Sequence, residues 1–260
     1  VKENPFAQEE NLLRTIFSRI SEELKKLPLK VTTKEGGSPL TTVDLFIDSL
    51  LKEKIQKAFP EDGILSEESP SLKGKERTWV VDPVDGTREL IEGIPEWVVS
   101  VALFSSDLLQ YGWVYQPTTS FLFSGGPGIG AFLNNHKKTV QFRKEGEPII
   151  GVSRTDTKKG KIPRLPIPLK PIGSIAYKLA LTGVGEIGGV VSFTPKHLWD
   201  IAGGVAIVLG GGGILWDLQK KEPLTTLSLK TTSLFPEGFF AGSPEGVPWF
   251  LHQLQKSPAP

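Results

Sequence analysis

Asp82 and Asp85 stand three residues apart within the stretch Trp79 to Thr87, with Pro83 between them and Gly86 just behind. Two carboxylates held that close repel each other unless a proton or a cation sits between them. Hard divalent cations such as Mg2+ take oxygen ligands of this kind. Pro83 fixes its own φ and has no N–H to continue a sheet ladder. Gly86 permits a turn that a side chain would obstruct. Ahead of them, Trp79, Val80 and Val81 read as a short buried strand, so the acids sit on a tight turn at a strand end. The same composition also makes an ordinary β-turn. The pentapeptide alone leaves both readings open.

Other carboxylates lie at element boundaries. Leu12, Leu13, Ile16, Phe17, Ile20 and Leu24 fall at helical spacing, which predicts a helix over Gln8 to Leu27. Thr32 to Leu40 is polar and Gly-rich and reads as a mobile loop. Thr41 to Asp44 opens a second helix with Ile47, Leu50, Leu51, Ile55 and Phe59 as its buried stripe. Asp44 there is either a helix-start carboxylate, favoured by the dipole, or a ligand. Glu67 and Glu68 follow a short apolar pair, Ile64 and Leu65. A strand meander is predicted over Ile94 to Phe104, Leu108 to Tyr115, Phe121 to Ser124 and Gly130 to Leu133, with a further strand at Val140 to Arg143. Lys144 to Pro148 is a polar link, which suggests two lobes, residues 1–147 and 148–260, in one compact unit. Beyond it come a strand at Ile149 to Ser153, a charged loop from Asp156 to Lys170, and a helix from Ile172 to Leu181. A strand at Val190 to Phe193 and an apolar helix at Ile201 to Leu209 follow, with Asp200 at the helix start as cap or ligand. Strands at Ile214 to Trp216 and Gly238 to Ala241 and a helix over Gly246 to Gln255 finish the chain. Helices and strands that alternate irregularly point to a mixed α+β arrangement of layers.

Composition narrows the chemistry. The 260 residues include 38% hydrophobic ones and 14 Phe, enough for a substantial core. Thirty basic and 29 acidic residues leave a net charge of +1, which argues against a nucleic-acid polymer bound by bulk charge. The absence of Cys excludes thiolate chemistry and Cys-ligated zinc. No apolar run approaches the ~20 residues that span a bilayer, and the first residues lack the core of a secretory signal. The expectation is a cytoplasmic protein with no membrane partner.

Four separated pieces together resemble one family, the inositol monophosphatase superfamily of Mg2+-dependent, lithium-sensitive phosphatases. They are Ser38 to Asp44 (SPLTTVD), Leu65 to Glu68 (LSEE), Trp79 to Leu90 (WVVDPVDGTREL) and Leu198 to Gly204 (LWDIAGG). The resemblance implies a layered αβαβα sandwich and two or three Mg2+ ions per active site. It implies Glu67, Asp82 and the carbonyl of Val84 as ligands of one ion, and Asp82, Asp85 and Asp200 as ligands of a second. Asp44 would support a third ion through water. Glu67 and Thr87 would orient the attacking water, and backbone N–H groups around Gly86 and Thr87, beside Asp85, would hold the phosphate.

Within the superfamily, details resemble the CysQ-like 3'(2'),5'-bisphosphate nucleotidase branch: Thr87-Arg88-Glu89, the Leu-Ser-Glu-Glu run, and Ser153-Arg154. Phe193 stands where animal-type inositol phosphatases carry a carboxylate for inositol hydroxyls. The expected substrate is therefore 3'-phosphoadenosine 5'-phosphate, cleaved to AMP. Inositol 1-phosphate or another polyol or sugar phosphate is the alternative, and a catalytically silent regulatory binding protein is the rival of another class. The expected substrate wall comprises Ser153, Gly173, Ser174, Lys178, Phe193 and Lys196, with Lys178 and Lys196 as candidates for a second phosphate. Monomer and homodimer both remain open.

Overall fold

The computed structural model describes residues 4–142, 146–224, 227–230, 233–234 and 238–256. In chain order, α1 (Ala7–Glu23) leads to a hairpin, β1 (Val31–Thr33) and β2 (Pro39–Thr41), and then to α2 (Thr42–Ala58). Next come β3 (Gly63–Ser66), β4 (Arg77–Asp85), α3 (Thr87–Ile91), β5 (Val98–Ser105), β6 (Leu108–Gln116), β7 (Phe121–Gly126), β8 (Gly130–Leu133) and β9 (His136–Lys138). The second half holds β10 (Ile150–Ser153), α4 (Arg154–Lys158), β11 (Leu169–Ile172), α5 (Ile175–Gly183), β12 (Gly189–Ser192), β13 (Lys196–His197) and α6 (Leu198–Gly210). It ends with β14 (Ile214–Asp217), β15 (Glu222–Leu224), β16 (Ser233–Leu234), β17 (Phe239–Gly242) and α7 (Gly246–Gln255).

Strands β3 to β9 form one sheet in sequence order, antiparallel except for the parallel pair β3 and β4. The second sheet runs β11-β10-β12-β17-β14-β15. The sequence explains how they stack. Along β4, Trp79 and Val81 face one way and Val80 the other, and all three are buried. A strand covered on both faces reads as a continuous apolar run. Trp79 and Val81 join Leu13, Ile16 and Phe17 of α1 and Ile47 and Leu51 of α2 in one cluster. Val80, with Ala102 and Phe104, meets Leu179 of α5 and Ile201 and Val205 of α6, and the far side of that cluster is Val190, Leu215 and Phe239 of the second sheet. The second sheet's other face, through Ile150, Val152 and Phe240, is covered by Val247 and Phe250 of α7. The layers are therefore helix, sheet, helix, sheet, helix, the αβαβα sandwich.

Helix α6 lies unusually close to the first sheet because glycine meets glycine there. A Cβ on Gly112 would fall 2.4 Å from the Gly203 carbonyl oxygen, and a Cβ on Gly203 would fall 2.6 Å from Ser100 Oγ. Among the described residues, no helix is long and apolar enough to cross a membrane.

Several local expectations change. The stretch read as a mobile loop, Thr32 to Leu40, is a hairpin in which Val31 pairs with Thr41, ordered by main-chain bonds that a polar sequence does not advertise. Strand β4 does not give way to a turn after Val81 but runs to Asp85, with a register shift between Asp82 and Asp85. No strand forms over 140–142, where Val140 N–H instead bonds the Gly211 carbonyl at 3.0 Å; Arg143 lies outside the described residues. Lys144 and Glu145 of the polar link lie outside them too. The charged loop over Asp156 to Lys170 gives its first residues to α4 and its last to β11.

Candidate active site

The ends of β3 and β4 and the starts of α3, α5 and α6 converge on a cleft of about 290 Å³. Glu67 enters it just past β3, and Asp82, Val84 and Asp85 from the end of β4. The register shift explains how both aspartates reach it. Side chains alternate along a strand, so residues three apart face opposite ways. An extra residue in a bulge resets that alternation, and here Asp82 lies opposite Ser100 while Asp85 lies opposite Val98. Pro83, without an N–H, falls inside the shift, where no ladder bond is lost. Gly86 then turns the chain at φ +100°, and a Cβ there would lie 3.1 Å from the Glu96 carbonyl oxygen.

Glu67, Asp82 and Asp200 each bring one carboxylate oxygen within 4.8 Å of the others. Asp82 is almost completely buried, with Oδ1 accepting from Val84 N–H at 3.0 Å. Burial pushes its carboxyl well above the usual range, and the charges of Glu67, Asp85 and Asp200 push the same way. Burial, then the neighbouring Asp85, carries Asp200 up to about 7. Asp85 is also raised by burial, opposed by hydrogen bonds from Ser174 Oγ at 2.7 Å and Ala176 N–H at 2.6 Å, both to Oδ2. Asp200 sits in the first turn of α6, where Oδ2 accepts from His197 N–H at 2.9 Å. It is thus a helix cap and a member of the acid cluster at once. Crowded, desolvated carboxylates with neither sulfur nor imidazole among them are the donor set that a hard divalent cation such as Mg2+ suits.

Asp44 has no exposed surface and lies behind Thr87. It closes a capping box on α2, accepting from Thr41 N–H at 3.0 Å and from Thr41 Oγ1, while Thr87 Oγ1 lies 3.3 Å from its Oδ1. Thr87 Oγ1 also lies 3.2 Å from the Val84 carbonyl oxygen. Ser153 caps α4 and lines the cleft, as do Gly173, Ser174, Lys178 and Lys196. Phe193 does not line it; the ring packs on the apolar cluster beneath α7. Lys178 is buried, and its Nζ is spent on the carbonyls of Ile172, Gly173 and Ser174. Lys196 Nζ donates to Thr194 Oγ1 at 2.6 Å.

Two cations come to the site that were not among the expected site residues, although Arg154 belongs to the Ser153-Arg154 motif. Lys34, at the tip of the β1–β2 hairpin, places Nζ 2.6 Å from both Glu67 Oε1 and Glu68 Oε1. Burial pulls that ammonium down, but its bonds to the two glutamates outweigh this and leave it raised. Nothing in Lys34-Glu35-Gly36-Gly37 signals a partner 33 residues away. Arg154, at the start of α4, lines the cleft and donates from Nη2 to Glu96 Oε2 at 2.5 Å. The described lining of the cleft holds no aromatic side chain.

The sequence profile of the inositol monophosphatase family matches residues 5–241. The chain is 30% identical over 206 residues to an inositol-1-monophosphatase of Rhizobium meliloti, covering 74% of this chain and 76% of that one. It is 28% identical over 204 residues to a Nus factor SuhB of Pasteurella multocida, covering 74% and 76%. A solved Pyrococcus horikoshii structure, described as similar to inositol-1 monophosphatase, superimposes with a TM-score of 0.76 at 25% identity, covering 94% of this chain and 97% of that one.

Proposed function

The chain belongs to the inositol monophosphatase family and is a Mg2+-dependent phosphatase of small metabolites, and on that premise we propose that its substrate is the phosphomonoester of a polyol or sugar such as inositol 1-phosphate. The observation that carries this choice is the polar cleft wall, which among the described residues has no aromatic platform. A nucleobase needs an apolar face to pack on, whereas a polyol needs hydrogen-bonding groups, since a buried hydroxyl left unpaired costs about 1–3 kcal/mol. The case for 3'-phosphoadenosine 5'-phosphate weakens on two counts. Phe193 packs elsewhere, and Lys178 has no donor left for a second phosphate. The identity to an inositol-1-monophosphatase supports the same preference.

In this reading Glu67, Asp82, Asp85, Asp200 and the Val84 carbonyl hold Mg2+. When bound, Mg2+ supplies charge neutralisation for the phosphoryl oxygens and for the departing alkoxide, and it acidifies water. The chain's own residues do the positioning. Glu67 and Thr87 orient the attacking water, and Asp44, by accepting from Thr87 Oγ1, fixes that hydroxyl. The backbone N–H groups of Gly86 and Thr87 hold the phosphate where Gly86 turns the chain. Holding reactants in line and aiming fixed charges at them accounts for most of the acceleration in phosphoryl transfer. A catalytically silent binding protein would be free to lose a ligand, and all four acids are present.

The test compares kcat/KM for inositol 1-phosphate and 3'-phosphoadenosine 5'-phosphate in one Mg2+ buffer. The polyol ester is expected to win by at least about tenfold, roughly 1.4 kcal/mol of transition-state binding. A preference for the bisphosphate overturns the substrate, and no turnover of any phosphomonoester favours the silent regulator.

A further inference from the structure

The turn between β11 and α5 is braced from both halves of the chain. From the second half, Lys178 is 3% exposed and sends Nζ to the carbonyl oxygens of Ile172 at 2.9 Å, Gly173 at 3.1 Å and Ser174 at 2.8 Å. An ammonium has three donors, and all three are used on this one turn. From the first half, Glu96 Oε2 accepts Gly173 N–H at 2.7 Å and Arg154 Nη2 at 2.5 Å. Glu89 fills the space that remains, since a Cβ on Gly173 would lie 2.3 Å from Glu89 Cγ. So held, Ser174 adopts φ +48°, a conformation that a residue with a side chain keeps only when its surroundings enforce it. That conformation caps α5 and presents Ser174 Oγ and Ala176 N–H together to Asp85 Oδ2. Two donors on one oxygen fix the carboxylate and leave Oδ1 for a cation.

We propose that Lys178 and Glu96 are positioning residues for the metal centre, bracing the 172–174 turn so that Ser174 and Ala176 orient Asp85 toward Mg2+. The inference rests on the reading of Asp85 as a ligand. Neither residue touches the reacting atoms; both act through the turn.

Mn2+, which is visible by electron paramagnetic resonance, serves as the probe on the purified full chain. Glu96→Ala and Lys178→Met are each expected to weaken Mn2+ binding by about tenfold, the scale seen when a ligand's supporting hydrogen bonds are removed. The Mg2+ concentration for half-maximal activity rises in parallel, while KM for the phosphoester at saturating Mg2+ stays near wild type. Glu96→Gln keeps an acceptor for Gly173 N–H and recovers most of the affinity. Combined with Ser174→Ala, Glu96→Ala adds little, because both act through one turn. A merely structural role would lower the melting temperature and leave Mn2+ affinity alone. If Lys178→Met does not fold, the two Glu96 variants decide. Wild-type Mn2+ affinity in folded Glu96→Ala, with affinity lost in Asp85→Asn, overturns the brace and spares the ligand assignment. Unchanged affinity in Asp85→Asn overturns both.

Discussion

Asp82 and Asp85 share a cleft only because β4 carries a bulge between them. Residue types and spacing left the two open between a cation site and a plain turn until the three other motifs of the family resemblance were added, and the spacing alone gives them opposite faces. The partners of the site residues were less legible. Glu67 is bonded by a lysine from a hairpin, and Lys178, a candidate anion binder by sequence, is buried on main-chain carbonyls. Both depend on tertiary proximity, which no local pattern records. Two outcomes follow at this scale. Asp85→Asn should lower kcat by at least about a hundredfold, the scale of removing one preorganised electrostatic group, with an unchanged circular dichroism spectrum. A variant with wild-type turnover would remove Asp85 from the mechanism. The second concerns protons. Asp200 titrates at about 7 in the fold, against roughly 3.9 in an unfolded chain. Below the lower value it is protonated in both states and contributes no penalty. Between the two the unfolded chain releases the proton and the fold retains it, so stability falls as pH rises through that window. Asp82 and Asp85, also raised, act in the same direction. The metal-free protein should therefore melt lower at about pH 8 than at about pH 5.5, Asp200→Asn should flatten the slope, and Mg2+ should restore the loss at the higher pH. Calorimetry in EDTA and in Mg2+ reads all three.

Buried elements were legible even where short, as at β8, β10 and β17, and short exposed ones were not. Helices α1, α2 and α6 announce themselves by apolar spacing because each buries a face. Strand β1 is exposed throughout and β9 mostly so, and neither offers an alternation to read. The start of α2 shows what a cap does beyond its own helix. Thr41 Oγ1 accepts from Val43 N–H, and Thr41 also donates to Asp44, which in turn meets Thr87. Thr41→Ala should cost about 1 kcal/mol in denaturant unfolding, and it should also slow turnover by loosening the Asp44–Thr87 pair; intact turnover would separate the cap from the site. Gly112→Ala tests the seat of α6. The clash is with a carbonyl oxygen that cannot swing aside, so the loss should be about 1–3 kcal/mol or more, read as a lower urea midpoint.

At the scale of the whole molecule, the first sheet draws on strands up to Lys138 and the second on strands from Ile150 onward. The layering was legible through family resemblance, whereas composition alone supported only mixed layers. What joins the layers is the central helix pair: α5 and α6 fill the space between both sheets. Unfolding should accordingly be one transition. Fluorescence, which includes Trp79 and Trp113 in the first cluster and Trp216 and Trp249 in the last, should coincide with far-ultraviolet circular dichroism; two separated midpoints would show that the sheets melt independently. The seat of α6 also bears on how the chain is made. Proteins fold from the amino terminus as they are synthesised. Glu67, Asp82 and Asp85 leave the ribosome long before Leu198–Gly210, and until α5 and then that helix arrive the face of Val80, Ala102 and Phe104 is incompletely covered. The helix that completes the cover of this apolar face is the same one that delivers Asp200, so the last acid of the cluster and the last of the cover arrive together.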